Sequence, residues 1–300
     1  MNKQTKEFLN YLQYEKLYST KTIDSYSRDI EKFYAFLLEE DVDYDKVDAI
    51  VIRNFLTKEL TSGVTKRSCK RRLSALRQYY KFLIRNRYIE DDPFIYINSP
   101  KVEKRYPRVL FKEQVLEILN ENRKRTDEFV YRDQAILDLL YYSGLRASEL
   151  VNLSIQDIQL KQRIIRVIGK GNKERIVPIS EESKSDIEKY IKLTRPQLLK
   201  KTKEHHANLI LNNRGNPLTV RGLEYILDKI EEKTGTFVNL HPHILRHSFA
   251  TNLIENGADI RVIQELLGHT SINATQVYTH VSDKAMSETY NDFFPRAHKK

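Results

Sequence analysis

Three hundred residues, 40% hydrophobic and 31% charged, are enough for about two domains with real cores and too apolar for a disordered chain. The net charge of +10 favours a polyanionic partner, and the single Cys69 excludes an intramolecular disulfide or a cysteine-rich zinc site. No apolar signal region opens the chain and no run approaches the roughly 20 apolar residues that span a bilayer, so a cytoplasmic location without a membrane partner is expected.

Residues 1 to about 90 read as helices only. Phe8, Leu9, Tyr11 and Leu12 begin a first helix, and Ile30, Phe33, Tyr34, Leu37 and Leu38 mark the core face of a second. A third covers 47–60 and stops near Ser62-Gly63. The fourth, about 65–88, carries Lys66, Arg67, Lys70, Arg71, Arg72, Arg77, Lys81, Arg85 and Arg87 without one acidic residue. At about 100° per residue, Lys66, Lys70, Arg77 and Lys81 fall on one stripe beside an apolar one of Cys69, Leu73, Leu76, Tyr80 and Leu83. A solvated face normally mixes signs. One edge that packs and one that is purely positive make those four residues candidate DNA-binding residues.

Pro93, Pro100 and Pro107 deny a continuous helix and are interspersed with Lys101, Lys104, Arg105 and Arg108. The domains are therefore expected at 1–92 and 110–300, joined by a basic linker at 93–109. In the second, helices fit 112–122 and 128–142. Short strands fit 155–158, 164–168 and 175–177, with Gly169-Lys170-Gly171-Asn172 as a hairpin turn. Helices return at 181–193, 219–233, 244–256 and 259–267, the last capped by Asp259 and ended by Gly268. A short helix after Ser271 would carry Tyr278 near its end, and 282–291 could form a final one. The fold class is mainly α, a helical domain followed by a mixed α/β domain with a small antiparallel sheet.

Certain residues of the second domain have the chemistry to handle a phosphodiester. A catalyst without metal must clamp the non-bridging oxygens, supply a nucleophile and protonate the departing oxygen. Arginine suits the clamp because its planar fork matches two phosphate oxygens and stays charged, which makes Arg146 and Arg246 the candidates. Tyrosine suits a reversible covalent step because phenolate leaves well, although its ordinary pKa near 10 calls for a neighbouring base. Singly these residues say little. Tyr278 is one of 18 tyrosines, a lysine in a Gly-Lys-Gly turn is normally just exposed, and Arg146 could simply pair with Glu149. His241, His243 and His247 lack the His-Glu-x-x-His pattern of a zinc hydrolase, and Gly169-Lys170-Gly171 lacks the ending of a P-loop.

The segments are more specific together. Gly144-Leu145-Arg146-Ala147-Ser148-Glu149-Leu150, Gly169 to Arg175, His241-Pro242-His243-Ile244-Leu245-Arg246-His247, Leu266-Leu267-Gly268-His269 and Tyr278-Thr279-His280-Val281 come in an order that resembles the tyrosine site-specific recombinases, or phage integrase family, and most of all the bacterial Xer type. The resemblance implies a C-shaped two-domain clamp on DNA. It implies that Arg146 and Arg246 bind the scissile phosphate, Lys170 protonates the leaving 5′-oxygen, His243 acts as acid or base, His269 donates to a non-bridging oxygen, and Tyr278 forms a 3′-phosphotyrosyl bond. Glu149 would hold these groups in place. No cofactor or metal is implied. The implied partners are double-stranded DNA with a short inverted-repeat site and a homo- or hetero-tetramer with a second recombinase, with a DNA translocase as a candidate activator. The C-terminal helix would dock on a neighbouring protomer. The implied role is chromosome dimer resolution through a Holliday junction. The alternatives are a mobile-element integrase with the same chemistry, or a DNA-binding regulator without catalysis.

Overall fold

The structure, a computed structural model, describes residues 2–101, 109–169 and 174–268. The chain divides into two compact units, Met1–Arg105 and Tyr106–Lys300. Among the described residues no helix is long and apolar enough to cross a membrane.

The first unit is built of α1 (Lys3–Asn10), α2 (Thr20–Glu39), α3 (Ala49–Thr61) and α4 (Lys66–Arg85). Each start is fixed by a polar cap. Asn2, Ser19, Asp48 and Thr65 all accept a backbone N–H of the first turn, as orphan amides require. Helix α1 runs into a π turn at Tyr11–Glu15. The unit's core is largely aromatic, with Phe33 and Phe55 rings 5.0 Å apart, edge to face. The apolar stripe of α4 is fully buried, as expected from its spacing.

Two expectations need correction here. Leu38 is 84% exposed, while Asp29 and Phe36 are buried. The buried face of α2, made by Asp29, Ile30, Phe33, Phe36 and Leu37, is centred on Phe33, and Leu38 lies roughly 140° from that centre at 100° per residue. The core also runs past residue 92, because Phe94 and Ile97 are buried in it. Residues 102–108 of the expected linker lie outside the described residues.

The second unit holds α5 (Lys112–Lys124), α6 (Val130–Tyr141), α7 (Ala147–Asn152), strands β1 (Ile158–Gln159), β2 (Ile164–Ile168) and β3 (Glu174–Pro178), then α8 (Glu181–Lys189), α9 (Arg195–Leu199), α10 (Val220–Thr234), α11 (Pro242–Glu255) and α12 (Ile260–Leu267). The sheet is antiparallel in the order β1-β2-β3, with Ile165 opposite Ile158 and Val177. Helix α6 is buried over most of its surface and packs on α5, α7, α8 and α11, while α12 lies on α11 and β3.

The expected strand at 155–158 is a 3₁₀ turn, Ile155–Asp157, before β1. Asp157 accepts the Ser154 N–H at 2.8 Å and Ser154 Oγ accepts that of Gln156, so side chains draw the backbone away from a ladder. The helix expected at 181–193 is broken after Lys189 by a π turn, Tyr190–Thr194, which leads into α9. Pro196 brings no N–H to the first turn of α9, so the regular hydrogen-bond register cannot continue through it. Asp259 and Gly268 cap α12 at its two ends as expected, Gly268 with φ +60°. The helices expected after Ser271 and at 282–291 lie outside the described residues.

Candidate active site

The site forms where the start of α7, the strand β3, the middle of α11 and the end of α12 meet. Gly144 turns the chain into α7 with φ +58°, and a Cβ there would stand 2.6 Å from the Phe249 ring. Only glycine fits both that conformation and that contact. Arg146 follows as the N-cap of α7, and its backbone N–H is bound at 2.8 Å by the carboxylate of Glu149, three residues on. The Gly-Leu-Arg-x-x-Glu spacing thus positions an arginine and its acid within one helical turn.

Glu149 is buried and is the centre of the arrangement. One of its oxygens accepts from Arg146 Nη1 at 2.7 Å. Arg175 on β3 grips both oxygens, with Nη1 and Nη2 each at 2.8 Å. Arg246 on α11 lies 3.8 Å from Oε2. Burial opposes charge on Glu149, but hydrogen bonds from Arg175 and from Arg146 outweigh it and hold the pKa at about 2, against an ordinary 4.5.

The same three arginines close the end of α12. Arg175 Nε donates to the Leu266 carbonyl at 2.8 Å, Arg246 Nη2 to that of Leu267, and Arg146 Nη2 to that of Gly268 at 2.8 Å. Helix ends leave these carbonyls unpaired and partly negative, so guanidiniums satisfy both needs. Arg246 Nη1 also donates to the Gly144 carbonyl, which ties α11 to the turn before α7. Burial, then the like charges of Arg146 and Arg175, press the Arg246 guanidinium down to about 9, still protonated at neutral pH. Three guanidiniums share one carboxylate, which leaves two positive charges in excess. The Arg146 side chain is 32% exposed and that of Arg246 8%, so the excess reaches solvent mainly through Arg146.

His243 is exposed in the first turn of α11, three residues before Arg246 and therefore on the same side of the helix. His241 is the N-cap, its Nδ1 accepting the Ile244 N–H at 3.1 Å. Burial, followed by the charge of His243, lowers its pKa. Among the described residues no group of three or more acids, histidines or cysteines is arranged to hold a metal. Lys170, His269 and Tyr278 lie outside the described residues.

Of the basic stripe on α4, Lys66, Lys70 and Lys81 are exposed. Arg77 is half-buried and donates to the Ile97 carbonyl and to Ser99 Oγ, so it is bound into its own unit. The helix has no acid of its own but borrows two. Arg71 pairs with Asp29 of α2, and the buried Arg72 with Asp29 and with Glu59 of α3.

Sequence reasoning misses Arg175 as a site residue, although it ends the Gly169–Arg175 segment. The signal that could find it is its position two residues before the core residue Val177, on the same face of a strand.

The Phage integrase family pattern matches residues 108–285, and the Phage integrase N-terminal SAM-like domain matches residues 5–87. The chain is 42% identical to tyrosine recombinase XerC of Bacillus subtilis (strain 168), over 98% of this chain and 97% of that one. It is 40% identical to tyrosine recombinase XerD of Staphylococcus haemolyticus (strain JCSC1435), over 97% and 98%. Its fold is similar to that of the XerH site-specific recombinase crystallised with palindromic difH substrate, with TM-score 0.69 and 22% identity over 96% of this chain and 84% of that one.

Proposed function

Because the chain belongs to the Phage integrase family and is a tyrosine recombinase, we propose that it recombines DNA at a specific site through a 3′-phosphotyrosyl intermediate and resolves chromosome dimers at cell division. The observation that carries this reading is the excess of positive charge around Glu149. A phosphodiester is the anion that such a forked, permanently charged pair as Arg146 and Arg246 fits.

In this reading Tyr278 Oη gives its proton to a neighbouring base, the role open to His243, and attacks the phosphorus, the phosphorus–O5′ bond breaks, and the 5′-oxygen takes a proton from Lys170. A 5′-hydroxyl of the partner strand reverses the step. One phosphoester is exchanged for another, so no ATP is consumed. Arg146 and Arg246 stabilise the charge that builds on the non-bridging oxygens, with His269 donating to one of them and His243 acting as acid or base beside the nucleophile. The N-terminal unit grips the duplex through Lys66, Lys70 and Lys81. The substrate is a short inverted repeat bound by a tetramer of this chain, alone or with a second recombinase, in the cytoplasm where the chromosome lies. Identity near 40% along the whole length of Xer relatives favours the chromosomal role over a mobile-element one.

The test is covalent trapping on a nicked suicide duplex that carries the inverted repeat. The wild-type chain should accumulate a protein–DNA adduct, in chelator as well as without it. Tyr278→Phe should form none while still retarding the DNA in a gel. Undiminished trapping by Tyr278→Phe removes the tyrosine from its role. For the chromosomal role, cells without the protein should accumulate dimeric chromosomes, and normal segregation there would overturn it.

A further inference from the structure

We propose that Arg175 is a positioning residue for strand cleavage, a strut that fixes Glu149 and the end of α12 to each other and so sets the two phosphate-binding arginines. The proposal rests on the function argued above and adds a residue to its machinery.

Arg175 enters the site from β3, apart from the helices that carry Arg146 and Arg246. All three of its nitrogens are engaged inside the protein. Both Nη atoms donate to the two oxygens of Glu149 and Nε donates to the Leu266 carbonyl, each at 2.8 Å. Its side chain is 8% exposed, unlike that of Arg146. Its side-chain grip on both oxygens of Glu149, which neither Arg146 nor Arg246 makes, marks Arg175 as a strut; burial does not, since Arg246 is equally buried.

Its place against α12 is built for it. A Cβ on Gly268 would lie 3.2 Å from both Arg175 Cδ and Nη1, so the glycine makes room for the guanidinium as it ends the helix. The carbonyls of residues 266, 267 and 268 take Arg175, Arg246 and Arg146 in turn. The residue after Gly268 is His269, and Tyr278 follows nine positions later. Without Arg175 the carboxylate loses its bidentate partner and is left to Arg146 and Arg246, the other two cations that face it. Their charge would then be directed to Glu149 rather than to a phosphate, and the α12 end would lose one of its three ties.

Arg175→Gln and Arg175→Lys are compared with wild type in single-turnover cleavage of the suicide duplex across pH, alongside DNA affinity and thermal stability. Arg175→Gln should slow cleavage about 10- to 100-fold, the cost seen when groups that orient the ligands of metal sites are lost, with DNA affinity unchanged. Arg175→Lys should recover part of the rate. Relative to the wild type, cleavage by Arg175→Gln should also fall further as pH drops through the ordinary carboxylate range, because Glu149 then takes up a proton more readily. In a Glu149→Gln background, Arg175→Gln should slow the rate by no more than about twofold further, since both act through one contact.

Wild-type rate and pH profile in a folded Arg175→Gln chain would overturn the proposal, as would penalties that multiply in the double variant. If Arg175→Gln does not fold, the same cycle is run with Arg175→Lys, and multiplying penalties there would overturn it equally. A wild-type chain that forms no adduct would instead bring down the function itself, so the two failures are distinct.

Discussion

Glu149 shows how one buried carboxylate can organise a cationic site. Its charge is stabilised by Arg175 and Arg146 against the cost of burial, and breaking such a network strands a charge. Because the folded pKa lies below the ordinary 4.5, at about 2, its contribution to stability is complete above the ordinary value and is lost as pH falls from there toward about 2. Acid titrations of unfolding should show this loss, and Glu149→Gln should flatten it. The arginines it holds are expected to matter for rate more than for fold. Arg146→Ala should lower single-turnover cleavage by about 10³ or more, as for other phosphoryl-clamping arginines, with DNA retardation retained. Gly144→Ala combines a left-handed backbone with a clash against Phe249. Strain of this kind costs on the order of 1–3 kcal/mol, to be read as a lowered unfolding midpoint.

Helices α4 and α12 carry opposite lessons. The sequence marks α12 at both ends, with Asp259 before it and Gly268 after it, and Val262, Ile263, Leu266 and Leu267 form its buried side. What its carbonyls meet is not written in that segment, because Arg175 comes from β3 and Arg246 from α11. Helix α4 reads as uniformly basic, yet Asp29 and Glu59 from neighbouring helices neutralise Arg71 and Arg72, and Arg77 is held by Ile97 and Ser99. The exposed lysines are therefore the better candidates for DNA contact. Replacing Lys66, Lys70 and Lys81 with alanine should reduce the slope of log affinity against log salt by about 0.9 for each phosphate no longer neutralised. Arg77→Ala should leave that slope nearly unchanged and lower the stability of the N-terminal unit. A slope untouched by the triple change would make the lysines merely solvated.

At the scale of the molecule, two separate hydrophobic cores serve two units. Phe33→Ala in one should cost about 3–5 kcal/mol and Leu140→Ala in the other about 2–5 kcal/mol, and calorimetry should find each change shifting the transition of its own unit. The chain by itself determined most of this architecture. Helical periodicity and caps are local, so α2, α4, α5 and α12 could be placed, as could β2 and the pairing of Arg146 with Glu149. The tertiary structure alone decided where Leu38 faces, that Phe94 and Ile97 belong to the first core, and that Arg175 completes the site. Burial and ion pairing are settled between segments distant in sequence, and a charge reads as free in the chain until folding brings its partner within reach.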